Sequence, residues 1–209
     1  MNILKDIFKA TGIASIFTIF MLLIACNNDQ AKININKDSQ KIELDSQKDI
    51  IWHVKAYHPD GKLLDVKAIT GDGKIHDIKA IQNSDQTSIM DVKAFVDGNI
   101  LPVKVLVSED EYLPVKAIDG NGVIIDVKAL TEDGTKYDVK GVRQSGNIVH
   151  LNVINEKGEF YTLEAISPKG WINDVKGIKM MSTPVEVIVN GVEVYAHIKS
   201  IPQANELIY

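Results

Sequence analysis

The sequence predicts an all-β fold, an antiparallel β-meander built from about eleven strand-turn repeats and a C-terminal hairpin. Three observations support this prediction: a tandem repeat of twelve residues, strict apolar and polar alternation within each copy, and a glycine-containing turn between copies. A short fixed period indicates one small structural unit copied in tandem. The sequence therefore describes a scaffold more clearly than a chemical activity.

Each copy of the repeat resembles the phrase Asp-Val-Lys-Ala-Ile. In the copy from Lys62 to Ile69, Asp65 and Lys67 share one face of the predicted strand, and Val66 and Ala68 share the other. The Val and Ala positions stay apolar or small throughout, so we expect them to face the core. Small residues there indicate either a second layer packed closely or the inward wall of a curved or closed sheet. The central lysine position is occupied by Lys55, Lys67, Lys79, Lys93, Lys104, Lys116, Lys128, Lys140, Asn152, Glu164 and Lys176.

Turns separate the copies at segments such as Asp72-Gly73, Asp133-Gly134 and Lys157-Gly158. Glycine where a positive φ is needed is typical of a type I turn closed by a bulge, a common hairpin connection. Each copy is therefore predicted to form one strand and one reversal of direction.

Charge favours antiparallel over parallel stacking. In a parallel β-solenoid, which is the alternative, Lys67 would lie about 4.8 Å from Lys79, and like charges placed opposite each other are destabilising. In an antiparallel pair, Lys67 faces Asp77 and Asp65 faces Lys79, so the same residues attract. We therefore expect successive copies to run in opposite directions.

Two irregularities interrupt the pattern. Pro102 and Pro114 replace the usual Asp in consecutive copies, and because proline cannot donate to a strand ladder, we expect the sheet to bend or split there. Near the C-terminus, Asn190-Gly191 lies between two alternating apolar runs, which is a strong hairpin signal. We interpret residues 181–209 as a hairpin that caps the repeat domain of residues 50–180.

The first 25 residues differ from the rest. Lys5 and Lys9 form a basic start, and an apolar run follows that is too short to span a membrane comfortably, so a secretion signal is indicated. Leu23-Ile24-Ala25-Cys26 resembles the lipobox of bacterial lipoproteins, in which the cysteine is acylated and becomes the first mature residue. The resemblance implies a lipid anchor in the bilayer at Cys26, in the outer membrane if the bacterium has one.

The polar residues 27–49 are predicted to form a tether between Cys26 and the repeat domain, which makes 26–49 the acylated and flexible segment. The repeat domain is therefore expected to stand off a membrane surface.

The net charge of −5 and the even alternation of lysines with carboxylates exclude a nucleic-acid binder, which needs clustered cations.

No sequence motif indicates catalysis, a cofactor or a metal ion. The repeated Asp and Lys residues indicate cross-strand ion pairs, and His53 and His150 occupy the Asp position in distant copies without a metal-ligand spacing. Aromatic residues are the candidate ligand contacts: Trp52, Trp171, Tyr137 and Tyr161. We expect a non-catalytic scaffold for an envelope protein partner, with binding of an envelope polysaccharide as the alternative and a hydrolase as a less favoured third.

Overall fold

The computed structural model describes residues 51–58, 60–83 and 88–203, which form thirteen strands and no helix. All pairings are antiparallel, as predicted, and the parallel solenoid is excluded. The strands are β1 (Ile51–Tyr57), β2 (Leu63–Ile69), β3 (Ile75–Ile81), β4 (Met90–Val96), β5 (Asn99–Leu106), β6 (Leu113–Ile118), β7 (Ile124–Leu130), β8 (Lys136–Ser145), β9 (Ile148–Ile154), β10 (Phe160–Ile166), β11 (Ile172–Ile178), β12 (Val187–Val189) and β13 (Val192–Pro202).

In the first three strands, neighbours in sequence pair over only half of their length. In β2, residues 63–65 pair with β1, and residues 67–69 pair with β3. The end of β3 then pairs with the start of β1, where Lys79 faces His53. Three strands thus form a cyclic triad. The prediction that Lys67 faces Asp77 is confirmed, whereas the prediction that Asp65 faces Lys79 is wrong because the pairing switches partner halfway along each strand.

Twelve strands form four such triads. Triad 1 contains β1, β2 and β3; triad 2 contains β4, β5 and β13; triad 3 contains β6, β7 and β8; triad 4 contains β9, β10 and β11. The chain completes triads 1, 3 and 4 with consecutive strands. Triad 2 is completed only when β13 returns from the C-terminal end of the chain.

The opposite edge of each strand pairs with one strand of another triad, which we call a seam. The six seams are β1–β10, β2–β7, β3–β4, β5–β6, β8–β9 and β11–β13. Every two triads share one seam, so the connectivity matches the four vertices and six edges of a tetrahedron. The sheet closes on itself, and among the described strands only β12 has a single paired edge.

The interior of this closed sheet holds the Val and Ala positions of the repeat. Across the seam between β2 and β7, Val66 lies opposite Ala129 and Ala68 lies opposite Val127. These four side chains are almost completely buried. The small residues therefore form the inward wall of a closed sheet, which is one of the two arrangements that the sequence left open.

The turns have the predicted geometry. In the turn between β2 and β3, Gly73 N donates to Thr70 O at 2.8 Å and Thr70 N donates to Lys74 O at 3.1 Å. Gly73 has a φ of 85°, which only glycine adopts at low cost. Because the same bonds recur in five other turns, these hairpins are copies of one structure.

The two prolines shorten a seam without splitting the sheet. The seam between β5 and β6 joins only Val103–Val105 with Val115–Ala117, whereas β2 and β7 pair over Asp65–Ile69. Pro102 and Pro114 lie just outside this seam but within the triads, where Pro102 faces Lys93 and Pro114 faces Lys140. Of the expected bend or split, the split does not occur, since both strands belong to the same sheet.

The C-terminal hairpin forms at Asn190-Gly191, as predicted. However, β13 is more than a cap, since it lies between β11 and β5 in the closed sheet. Its segment His197-Ile198-Lys199-Ser200-Ile201 is a twelfth, divergent copy of the repeat, and its pairing with β11 matches that in the other seams. Only β12 remains at the periphery.

Candidate functional site

Each triad carries a ring of six outward-facing positions, in which the Lys position of one strand faces the Asp position of the next. In ring 1, Lys67 Nζ lies 2.7 Å from Asp77 Oδ1 and 3.6 Å from Asp65 Oδ2. Lys79 Nζ lies 3.1 Å from Asp77 Oδ2 and 3.0 Å from His53 Nδ1. The two carboxylates therefore neutralise most of the charge of the three lysines. The hydrogen bond from Lys67, acting against burial, holds the pKa of Asp77 below its ordinary value.

Ring 3 repeats this design around Lys116, Lys128 and Lys140. Lys116 Nζ lies 2.6 Å from Asp126 Oδ1, and Lys128 donates to Asp138. Lys140 faces Pro114 in the ring, and its Nζ lies 5.8 Å from the centre of the Tyr112 ring. An aromatic face thus takes the place of the missing carboxylate.

Ring 4 is the least basic of the four. Asn152 and Glu164 occupy two of its three Lys positions, and Lys176 faces His150 while lying 3.5 Å from Asp174 Oδ2. Burial, together with the charge of Asp174, raises the pKa of Glu164. Burial and the Lys176 ammonium group lower the pKa of His150. This ring has no excess of cations.

Ring 2 departs furthest from the repeat. Asp91 is its single carboxylate, and it accepts a hydrogen bond from Lys199 and lies 3.6 Å from Lys93 Nζ. Pro102 and His197 occupy the other two Asp positions. Among the described residues Lys104 consequently contacts no carboxylate, and its Nζ donates to His197 Nδ1 at 2.7 Å. Across the neighbouring seam it faces Lys116, which is already paired with Asp126.

A buried carboxylate completes this cluster. Glu186 is 6% exposed, its Oε1 accepts a hydrogen bond from Met180 N at 2.5 Å, and the same oxygen lies 3.7 Å from His197 Nε2. Its Oε2 is buried without a hydrogen-bond partner among the described residues. We call Lys104, His197 and Glu186 the Lys104 cluster.

Lys179 fixes the segment that carries Glu186. Its Nζ donates to Thr183 O at 2.8 Å and to Tyr195 O at 3.1 Å, and it lies 3.8 Å from the centre of the Tyr195 ring. Backbone carbonyls and an aromatic face thus satisfy a buried ammonium group. The position of Glu186 beside His197 is therefore held by the loop itself.

The environment of the Lys104 cluster disfavours positive charge. Burial, reinforced by the Lys93 ammonium group, lowers the pKa of Lys104 to about 8. Burial and the neighbouring Lys104 lower the pKa of His197. The Lys104 cluster therefore combines a lysine of reduced basicity with an imidazole that is uncharged near neutral pH.

A separate concavity of 780 Å³ lies where three hairpin turns meet. Its rim carries polar groups from the three turns, including Thr70, Asp97 and Asn121, and its floor includes the apolar side chains of Leu101 and Ile125. Among the described residues, no aromatic side chain lines it. The arrangement offers hydrogen-bonding groups around an apolar floor.

The aromatic residues predicted to contact a ligand occupy different environments. Trp52 and Tyr161 are each 6% exposed and belong to the core; Trp52 Nε1 donates to Gln82 Oε1 at 3.3 Å, and the Tyr161 ring centre lies 4.7 Å from that of His58. Tyr137 is partly buried against the same core. Trp171 is 63% exposed at the start of β11. Trp52 and Tyr161 are therefore packing residues, and Trp171 is the candidate that solvent reaches most fully.

The segment Leu23-Ile24-Ala25-Cys26, which resembles a lipobox, lies outside the described residues, as does the predicted tether. Within the described ranges, no three His, Cys, Asp or Glu residues are placed to hold a metal ion. No helix that could cross a membrane occurs in residues 51–58, 60–83 and 88–203.

A family model described as a family of unknown function (DUF7486) matches residues 48–201. The chain belongs to this family. The DUF7486 match begins just before β1 and ends inside β13, so it includes all twelve copies of the repeat and the complete Lys104 cluster. No curated protein and no solved structure matches the chain.

The sequence prediction missed the Lys104 cluster because it is distributed over distant segments. Lys104 was recognised only as one of eleven equivalent positions, and Glu186 lies in a loop outside the repeat. His197 and Lys199 could have been found, since His197-Ile198-Lys199-Ser200-Ile201 keeps the order of the repeat. The interval of 23 residues after Lys176 concealed that copy.

Proposed function

We propose that this member of the DUF7486 family is a lipid-anchored, non-catalytic binding protein of the bacterial envelope, which contacts a protein partner through the outer surface of its closed sheet. The observation that supports this most is the double pairing of all twelve repeat strands. Because no long strand in the described part of the chain offers a free edge, a partner is recognised through outward side chains rather than by strand addition.

The outer surface suits this role. Large apolar side chains stand exposed next to the charged rings, and a rigid backbone holds them in place: Leu63, Ile75, Ile124, Phe160 and Trp171 are all at least 47% exposed. Apolar groups surrounded by charged residues are typical of protein interaction surfaces. Because the repeat places such groups on many strands, the folded domain carries surfaces of this kind on several faces.

The anchor is proposed from the resemblance of Leu23-Ile24-Ala25-Cys26 to a lipobox. Acyl chains on Cys26 would attach the chain to a bilayer, and residues 27–49 would give the folded body reach. Metabolic labelling with an alkyne fatty acid tests this step: wild type should carry the label in the membrane fraction, and Cys26→Ala should lose both the label and the membrane association. An unlabelled wild-type chain would contradict the anchor.

Site-specific photo-crosslinking tests the binding step. A crosslinking amino acid placed at Ile124, in the concavity lined by three turns, is compared with one placed at Phe160, which lies outside that lining. One discrete protein adduct from one position and none from the other supports a defined binding face. Absence of adducts from both positions and from Trp171 would contradict a protein-binding role on these faces.

A polysaccharide ligand is the second candidate, and the exposure of Trp171 favours it. An exposed indole ring can stack on a sugar face, whereas Trp52 is buried and keeps a constant environment. Titration with envelope polysaccharides should therefore change tryptophan fluorescence through Trp171 alone. The change should disappear in Trp171→Ala, and an unchanged spectrum in wild type would count against glycan binding.

A further inference from the structure

The Lys104 cluster arranges an amine, an imidazole and a carboxylate in series. Lys104 Nζ donates to His197 Nδ1 at 2.7 Å, and His197 Nε2 lies 3.7 Å from Glu186 Oε1. Since Nδ1 accepts this bond, the neutral ring carries its hydrogen on Nε2, on the side of Glu186. A nucleophile next to a base that a third group orients is the arrangement that activates side chains for covalent chemistry.

We propose that Lys104 is a nucleophilic amine that forms an imine with an anionic aldehyde or ketone. The inference goes beyond the proposed binding function and does not depend on it. Lys104 first transfers a proton from Nζ to His197 Nδ1, which leaves a neutral amine. The amine then attacks the carbonyl carbon, forms the C–N bond and gives a carbinolamine. His197 returns the proton as the carbinolamine loses water, and the product is a protonated imine.

Glu186 supports the intermediate state of this sequence. The imidazolium formed when His197 takes the proton carries a hydrogen on each ring nitrogen, and its Nε2–H faces the buried carboxylate. Glu186 Oε2 has no hydrogen-bond partner among the described residues, so the carboxylate keeps acceptor capacity next to the imidazolium. The cluster thus offers a stabilised place for the proton.

The preference for an anionic carbonyl compound comes from the rest of ring 2. Lys93 and Lys199 share the single carboxylate of Asp91, which leaves one uncompensated cation beside Lys104. The charges of both lysines act on Lys104. A carboxylate or phosphate group on the ligand would offset this excess charge.

The other rings lack this arrangement. Lys67 lies between two carboxylates. Lys79 contacts a histidine, His53, as Lys104 contacts His197, but it also lies 3.1 Å from Asp77. Ion pairs stabilise the ammonium form and oppose loss of the proton. Lys67 and Lys79 therefore serve as internal controls with the same strand position.

Borohydride trapping of the purified full chain tests the proposal. Pyridoxal 5′-phosphate, an aldehyde with a phosphate group, is added in less than equimolar amount at pH 7.5, reduced in place and located by peptide mass spectrometry. At this pH about a quarter of an amine with a pKa of 8 is neutral, compared with ~0.1% at a pKa of 10.5. We expect Lys104 to be labelled at least about tenfold more than Lys67 or Lys79.

Three comparisons make the test specific. His197→Gln, which keeps a hydrogen-bond acceptor and cannot take the proton, should lower the labelling of Lys104 to that of Lys67, with the β-sheet circular dichroism unchanged. His53→Gln, the matched change in ring 1, should leave the labelling of Lys104 unaltered. Pyridoxal without phosphate should label Lys104 several-fold less. Uniform labelling of the ring lysines, or equal labelling of Lys104 in His197→Gln, would overturn the nucleophile assignment, and equal labelling by both aldehydes would overturn the anionic preference.

Discussion

The substitution Lys104→Met is expected to stabilise the protein near neutral pH. Lys104 is a partly buried cation that contacts no carboxylate of the described residues, and its hydrogen bond goes to the ring of His197. Burial, with the Lys93 charge, lowers the pKa of Lys104 to about 8. Methionine has a similar volume and no charge, so it keeps the packing of the alkyl chain and removes the unfavourable charge.

The size of the effect follows from the pKa of Lys104. A decrease from near 10.5 to about 8 corresponds to a penalty of at most ~3 kcal/mol when the residue is charged. Solvent reaches part of the side chain, and the variant loses the bond to His197, so we expect a net gain of about 1 kcal/mol at pH 7. Between about pH 8 and 10.5 the unfolded wild type holds the Lys104 proton and the folded wild type does not. Wild-type stability therefore rises through this window, and the advantage of Lys104→Met disappears.

Urea unfolding at pH 7 and pH 10 measures both effects, with Lys67→Met as the control. Lys67 occupies the same position in ring 1, and its Nζ lies 2.7 Å from Asp77 Oδ1, so its loss should cost up to about 1 kcal/mol at pH 7. The two variants should thus change the unfolding free energy in opposite directions. The explanation would be refuted if both variants destabilise the protein at pH 7, or if the gain in Lys104→Met is the same at pH 10.

Three further changes test other parts of the structure. Gly177→Ala should cost about 1 to 3 kcal/mol in urea unfolding, because the added Cβ would lie 2.9 Å from Val149 Cβ; Gly71→Ala, which meets no atom within 4 Å, should change little. Asp77→Asn should lower the free energy of unfolding by less than about 1 kcal/mol at pH 7, and this difference should vanish as the pH falls through the lowered pKa of Asp77. An equal difference at pH 3 would contradict the ion-pair assignment. Truncation after Val189 removes β13 and should abolish cooperative thermal unfolding, whereas truncation after Gln203 should preserve it.

The local structure was predictable because it depends on neighbours in sequence. Alternation placed Val66 inside and Lys67 outside, and glycine at the fourth turn position fixed the hairpin geometry at Gly73. The register that brings Lys67 opposite Asp77 follows from a twelve-residue period with an antiparallel reversal. These features need no information about distant parts of the chain.

The arrangement of the triads was not predictable for a related reason. Nearly identical copies carry nearly identical pairing surfaces, so the sequence of β2 does not distinguish β7 from any other copy as its seam partner. The switch of partner halfway along each strand also leaves no trace in the residues, because Asp65 faces a lysine in either case. That lysine is Lys79 in an uninterrupted hairpin and Lys55 in the triad. The closure of the sheet is therefore a property of the whole set of strands.

The candidate site lies where the repeat changes, and the remaining rings explain why. Rings 1 and 2 share a backbone arrangement, so the different chemistry of Lys67 and Lys104 arises from the side chains around them. In ring 1 two aspartates hold the lysine charge, whereas in ring 2 Pro102 and His197 take two of the three Asp positions. The loop between β11 and β12 then brings Glu186 to the side of His197 away from Lys104. A uniform repeat sets the register of the sheet, and its local departures leave Lys104 without a carboxylate contact in the described part of the chain, at a site that the fold holds in place.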